Sequence, residues 1–261
     1  MCIERTLLMS KIISIVNQKG GVGKTTSAVN LAAALGALGK KILLVDIDPQ
    51  GNTTSGYGIS RKNLTATSYE ILIGSCTASE AIINTKFTGV DIIPSNINLA
   101  GAELELAIME KREALLKNAL ATIVENYDFV FFDCPPSLGL ITLNALTASD
   151  SFIVPIQCEY YALEGLSQLM ATVRTIKRLY NPYIELEGVL LTMYDGRLNL
   201  TQQVVAEVKT FFPKKVYATV IPRNVRLSEA PSFGEPVLYY DKASKGSESY
   251  IALAEEFLRM N

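Results

Sequence analysis

The chain contains no histidine among its 261 residues. Imidazole acid–base chemistry, Ser-His-Asp triads and histidine-ligated zinc are therefore excluded together. Cysteine is sparse. Cys2, Cys76, Cys134 and Cys158 stand far apart and form no CxxC pair, so neither a metal knuckle nor a dithiol motif is present. Scattered reduced thiols suit a cytosolic protein. No apolar run approaches the ~18 residues of a membrane-spanning helix. Met1 to Ser10 lacks the apolar stretch of a signal peptide. It reads as a short N-terminal extension, residues 1–10, with Met9 as a second candidate start. Repeats, linkers and low-complexity segments are lacking too, so residues 11–261 read as one domain. An excess of positive charge is also missing: 24 bases face 26 acids, a net charge of -2. Any nucleic-acid binding must then come from a local patch.

What is present is the composition of an ordinary globular protein, 49% hydrophobic and 19% charged, with enough apolar material for a sizeable core. Seven apolar, β-rich runs read as strands: Lys11 to Asn17, Lys41 to Ile47, Val90 to Pro94, Phe129 to Asp133, Phe152 to Ile156, Leu186 to Thr192 and Tyr217 to Pro222. They are continuous rather than alternating, as strands buried on both faces should be. Helical patterns lie between them, at Thr25 to Leu38, Ala162 to Tyr180, Leu200 to Phe212 and Gly246 to Met260. In the first, Ala28, Leu31, Leu35 and Leu38 form one stripe. Such alternation predicts an α/β fold: a mostly parallel, twisted sheet of about seven or eight strands with helices on both faces.

The first strand runs into Asn17-Gln18-Lys19-Gly20-Gly21-Val22-Gly23-Lys24-Thr25-Thr26, and a helix follows at once. A phosphate loop requires this strand–loop–helix frame. Gly20, Gly21 and Gly23 let the backbone curl so that several N–H groups, Val22 included, meet one anion. The helix starting near Lys24 adds its positive end. Lys24 supplies a charge for the β- and γ-phosphates, and Thr25 a hydroxyl for Mg²⁺. Thr26 completes the loop. The usual GxxxxGK[ST] spacing is not met, since its first glycine would fall on Gln18; the loop instead carries an additional lysine, Lys19.

Two strand ends supply carboxylates. Leu43 to Asp48 ends in Asp46 and Asp48, which in a strand would face the same side. Asp48 is nearer the loop, and Pro49 and Gly51 end the strand. Phe129 to Asp133 is an apolar strand ending in an acid, the arrangement that holds a carboxylate near the Mg²⁺ shell. Pro135 and Pro136 follow too soon for a helix N-cap. No strong general base is evident, which predicts slow hydrolysis, because phosphoryl transfer leans on positioning and electrostatics.

The segment KGGVGKTT resembles the deviant Walker A loop of the ParA/MinD family of ATPases, which has the P-loop NTPase fold. The resemblance extends through DIDPQGN (46–52), DCPPS (133–137), QCEYYALEGL (157–166), TMYDGR (192–197) and IPRNVRLSEAP (221–231). Together these point to its partition branch, ParA/Soj. That resemblance implies ATP and Mg²⁺ as cofactors, with Lys19 reaching across an ATP-dependent homodimer to the partner's phosphates. It places Asp48 beside the attacking water in a nucleotide-sensing switch, as a catalytic residue with Lys19 and Lys24 and a metal-site residue with Thr25 and Asp133. It sets Pro222 and Asn224 against the adenine. It further implies non-specific binding of double-stranded DNA with Arg197 and Arg226 as contacts, a ParB-like centromere-binding partner that stimulates hydrolysis, and a cytoplasmic, nucleoid-associated location.

Charge adds independent weight. Between Arg197 and Arg226 six bases oppose one acid, Glu207, giving +5, so the remainder of a chain at -2 carries -7. Such asymmetry predicts a basic face on an acidic protein, which is what counterion release requires. Three rivals remain. A MinD-type membrane-surface ATPase would end in a basic amphipathic helix, but Ala252 to Asn261 carries two acids and one base. A cluster-carrying ATPase would need a second cysteine near Cys134. A ligase or kinase would need a small-molecule pocket.

Overall fold

The computed structural model describes residues 10–159 and 162–261. The N-terminal extension, apart from Ser10, and Tyr160 and Tyr161 of the QCEYYALEGL segment lie outside those residues. The chain begins with β1 (Lys11–Ile15), α1 (Lys24–Ala37) and β2 (Ile42–Asp46). Three short helices, α2 (Asn52–Gly56), α3 (Ser68–Ile73) and α4 (Ala78–Ala81), lead to β3 (Ile83–Asn84) and β4 (Val90–Ile93). Then come α5 (Leu99–Leu106), α6 (Leu115–Leu120), β5 (Phe129–Asp133), α7 (Leu140–Ala148), β6 (Ser151–Gln157), α8 (Ala162–Leu179) and β7 (Glu185–Thr192). The last helices are α9 (Asn199–Phe211), α10 (Val225–Glu229), α11 (Val237–Tyr240) and α12 (Lys245–Met260).

The strands form one seven-stranded sheet in the order β3-β4-β2-β5-β1-β6-β7. All pairs are parallel except β3 with β4. Alternate residues of each strand feed two cores. Ile13 and Ile15 of β1, Ile42 and Leu44 of β2, and Phe129 and Phe131 of β5 join one. Leu43, Val45, Val130 and Phe132 join the other. Both faces are thus covered, which is why these strands read as unbroken apolar runs. α1 and α12 supply the helical side of the first core, through Leu31 and Leu35 and through Tyr250 and Phe257. α5, α7 and α8 supply the second, through Leu106, Leu146 and Leu169.

Two expectations need correction, and one strand, β3, lies beyond them. Tyr217 to Pro222 is no strand. It joins β7 and its sequel through isolated bridges, Val189 with Val216 and Tyr194 with Pro222, and through Ile221 N, which donates to Leu191 O at 2.9 Å. The Glu256 carboxylate of α12 takes the amides of Ala218 and Thr219 at 2.6 and 2.8 Å, so those N–H groups are not free to extend a ladder. β3 is an edge strand of two residues, too short to show a period in sequence. Leu38 does not complete the α1 stripe: it lies just past the helix and is 41% exposed.

Candidate nucleotide site

β1 lies between β5 and β6. Its register sets Ile15 opposite Asp133, and the β2 register sets Asp46 opposite Asp133 as well. The phosphate loop and both acid-bearing strand ends therefore meet at the carboxyl edge of the sheet, where open α/β sheets bind ligands. The loop is pinned from two sides. Asn17 Nδ2 donates to Pro155 O of β6 at 2.8 Å, and Asn17 Oδ1 accepts from Lys19 N at 3.0 Å. Thr192 Oγ1, at the end of β7, donates to Val22 O at 2.8 Å. Gly21 and Gly23 take φ of 73° and 86°, a region L side chains rarely adopt. Gly23 is the N-cap of α1 and makes no side-chain cap bond, so the first-turn N–H groups stay available to an anion.

The two lysines of the loop part company. Lys24 turns inward, is 7% exposed, and its Nζ donates to Lys19 O at 3.1 Å. Burial pulls its pKa below the usual lysine value, while Asp133 opposes that shift. Lys19 stands at the rim, its Nζ 2.8 Å from Glu159 Oε2, with 35% of its side chain exposed. Glu159 also accepts from Gln157 Nε2 at 2.5 Å.

Asp133 is fully buried. Its Oδ2 accepts from Thr25 Oγ1 and from Thr53 Oγ1, both at 2.7 Å. Its Oδ1 is buried without a partner. A buried, unpaired carboxylate oxygen is costly unless a cation or water meets it. With the Thr25 hydroxyl alongside, this donor set fits a hard, oxygen-seeking ion such as Mg²⁺. Burial raises the Asp133 pKa, as it does for the neighbouring Asp46. Asp48 is 7% exposed, and its Oδ1 accepts from Gln50 N at 2.9 Å.

Asp46 does not share the open side with Asp48. Its Oδ2 accepts from Thr54 N at 2.8 Å and Thr54 Oγ1 at 2.7 Å, and its Oδ1 from Asp48 N at 3.2 Å. It staples the Asp48–Thr54 turn to β2. Pro222 and Asn224 line a cavity of about 250 Å³ that also touches Gly23 and Thr26. Asn224 Oδ1 caps α10 by accepting from Leu227 N at 3.3 Å. Arg197 and Arg226 lie apart from this group. Arg197 is bidentate to Asp195 at 2.8 and 2.6 Å, with 89% of its side chain exposed. Arg226 meets Glu229 at 2.8 Å and Asp241 at 3.1 Å and is 50% exposed.

The sequence reading missed Asn17, Thr53, Thr192 and Glu159 as parts of the site. Asn17, Glu159 and Thr192 lie within the quoted loop, QCEYYALEGL and TMYDGR segments and Thr53 directly follows DIDPQGN, but nothing local to those segments gave them a role at the phosphate loop.

A family profile described as an AAA domain matches residues 10–186. The sporulation initiation inhibitor protein Soj of Bacillus subtilis is 57% identical over 248 residues, 95% of this chain and 98% of its own. The chain belongs to the ParA/Soj family of partitioning ATPases. Within that family the chromosome partitioning protein ParA of Myxococcus xanthus is 51% identical, across 96% of this chain and 89% of its own. Among solved structures, a cobyrinic acid a,c-diamide synthase from Mycobacterium smegmatis, with bound ATP analogue and magnesium, matches with a TM-score of 0.84. It is 38% identical and covers 96% of this chain and 95% of its own. The family's P-loop architecture agrees with the seven-stranded, mostly parallel sheet.

Proposed function

We propose that the chain is a partitioning ATPase whose Mg·ATP form is a homodimer that binds DNA non-specifically, and whose hydrolysis of ATP releases it. In this reading the backbone of Gly20 to Gly23 and the side chains of Lys24, Thr25 and Thr26 hold the triphosphate. Thr25 and Asp133 would hold Mg²⁺, with Asp48 close by, and the bound ion would supply charge neutralisation at the β- and γ-phosphates. Asp48 orients the attacking water, and Lys24 offsets charge on the equatorial oxygens. Pro222 and Asn224 contact the adenine: Oδ1 of Asn224 is committed to the helix cap, which leaves its amide N–H groups for ring acceptors.

One observation carries the dimer: of two lysines on one loop, Lys24 points inward and Lys19 stands outward at the rim. A second inward charge would serve its own nucleotide, whereas a rim lysine is placed to serve a neighbour's. The six bases from Arg197 to Arg226 are all exposed, which supports the DNA contact. Pairing two copies doubles that charge, so nucleotide state is coupled to DNA affinity through avidity. Arg197 is the more open of the two proposed contacts. A ParB-like centromere-binding protein is the proposed stimulator, and the nucleoid the proposed location.

The test is light scattering and DNA binding with Mg·ATP and with Mg·ADP. A dimer that needs ATP, is lost in Lys19→Ala and persists in Asp48→Ala is expected, with DNA bound only by the dimer. A monomer under every condition would overturn the reading. The MinD-type alternative is disfavoured by α12, whose Tyr250, Leu253 and Phe257 are spent in the core; no helix of the described residues is long and apolar enough to cross a membrane.

A further inference from the structure

Two buried acids face each other across neighbouring strands. Asp46 ends β2, Asp133 ends β5, and the register sets them opposite with neither exposed. Like charges so placed repel unless donors meet each of them. Two consecutive threonines on the first turn of α2 supply those donors. Thr53 Oγ1 donates to Asp133 Oδ2 and Thr54 Oγ1 to Asp46 Oδ2, both at 2.7 Å, and both threonines are fully buried. The two bonds differ in what they leave over. Asp46 has donors on both oxygens, Thr54 on Oδ2 and Asp48 N on Oδ1 at 3.2 Å. On Asp133, Thr25 and Thr53 share Oδ2, and Oδ1 has no partner.

An ionised carboxylate oxygen accepts about two hydrogen bonds. Two hydroxyls on Oδ2 therefore fill that atom and fix the rotation of the Asp133 carboxylate, and Oδ1 is the oxygen left to meet a cation or a metal-bound water. With Thr25 as the sole donor, either oxygen could turn outward. On its other side Thr53 is fastened to Asp48. Gly51 N donates to Asp48 O at 2.9 Å, Gln50 N to Asp48 Oδ1 at 2.9 Å, and Ser55 N to Gly51 O at 3.1 Å. Residues 48–55 thus form one short hydrogen-bonded unit, hung on Asp46 by Thr54 and on Asp133 by Thr53.

We propose that Thr53 is a positioning residue of the metal site: its hydroxyl aims Oδ1 of Asp133 at the cation and carries the loading of that cation to the turn that holds Asp48. The proposal rests on the Mg·ATP reading above. A group that orients a metal ligand changes affinity for the metal without touching it. The coupling is reciprocal. A loaded Asp133 holds Thr53 and its turn more firmly, and an ordered turn strengthens the loading by the same factor. Thr54 is the internal contrast. Its hydroxyl also accepts from Ser95 N at 2.9 Å and serves Asp46, which has no oxygen to spare.

The test uses the full chain and a fluorescent ADP analogue, either in EDTA or titrated with MgCl₂, with hydrogen exchange read over residues 48–55. In EDTA, Thr53→Val should bind the analogue as the unmodified chain does. It should nevertheless need about tenfold or more Mg²⁺ for half-saturation. Thr53→Ala should follow Thr53→Val, and Thr53→Ser, which keeps the hydroxyl, should return to the unmodified value. Mg²⁺ should protect the 48–55 amides in the unmodified chain and in Thr53→Ser alone. With ATP at saturating Mg²⁺, Thr53→Val should keep its KM and lose kcat. An unaltered Mg²⁺ requirement in both Thr53→Val and Thr53→Ala overturns the role of Thr53. Equal weakening with and without Mg²⁺ overturns it too, as general loosening of the site. Failure of Thr53→Ser to restore the requirement assigns the effect to packing of the methyl group and overturns it likewise. A raised requirement with undiminished protection overturns the coupling to Asp48. If binding by the unmodified chain ignores Mg²⁺, the metal reading itself falls and takes this role with it; a Mg²⁺-responsive chain with an indifferent Thr53→Val sinks the role alone.

Discussion

Lys19 and Lys24 belong to one loop, yet one is buried and the other lines the rim. The difference lies in direction: Lys24 opens α1 and folds back over the loop carbonyls, while Lys19 precedes the turn and meets Glu159. At this scale Asp48→Ala should lower ATP turnover about 100-fold or more, leaving Mg·ATP binding within a few-fold; single-turnover and equilibrium binding measurements separate the two. Thr53 shares the Oδ2 atom of Asp133 with Thr25, so Thr53→Val should cost about 1 kcal/mol in urea unfolding. A pH effect sits far from the site. Glu187, 6% exposed, is penalised by burial, yet hydrogen bonds from Lys11 at 2.6 Å and Asn261 at 2.9 Å outweigh that and hold its carboxyl below the usual glutamate range. A carboxylate depressed in the folded state adds stability above its unfolded pKa and loses it as pH falls through the folded one. Thermal midpoints of Glu187→Gln should therefore converge on those of the unmodified chain as pH drops below about 4, and lie below them at pH 7.

Elements explain where periodicity succeeded and where it failed. α1 and α12 were legible because their lengths are ordinary, and α12 also has a side-chain cap: Ser244 Oγ accepts from Ser247 N at 3.2 Å to open it. Continuous apolar strands were legible because both sheet faces are covered. The run from Tyr217 to Pro222 looked the same in sequence, but two of its amides go to Glu256, which lies thirty-odd residues later in the chain. No local pattern reports that competition. α12 closes the first core by setting Phe257 edge-on to Phe129, ring centroids 5.0 Å apart. Phe257→Ala should cost about 3–5 kcal/mol by urea denaturation, and should lower stability without altering the nucleotide affinity of the folded fraction.

For the molecule as a whole, a ligand that binds only the folded state raises stability by mass action. Mg·ATP at about 100 times its Kd should add about 2.7 kcal/mol, seen as a rise in thermal midpoint that Thr25→Ala shrinks. DNA binding by the ATP form should weaken linearly in log[salt], and Arg197→Ala should reduce that slope by about one.

The sequence by itself determined the chemistry of the phosphate loop, because glycine, lysine and threonine act there within ten consecutive residues whose local geometry is their own. It also determined the α/β alternation, since burial on both sheet faces is written into each strand. Only the tertiary structure decided which acids do what. Parallel register put Asp133 beside both Ile15 and Asp46. Packing then turned Asp46 into a staple and left one oxygen of Asp133 unpaired. The carboxylates look alike in sequence, and they differ only through the groups that long-range pairing brings within hydrogen-bond reach.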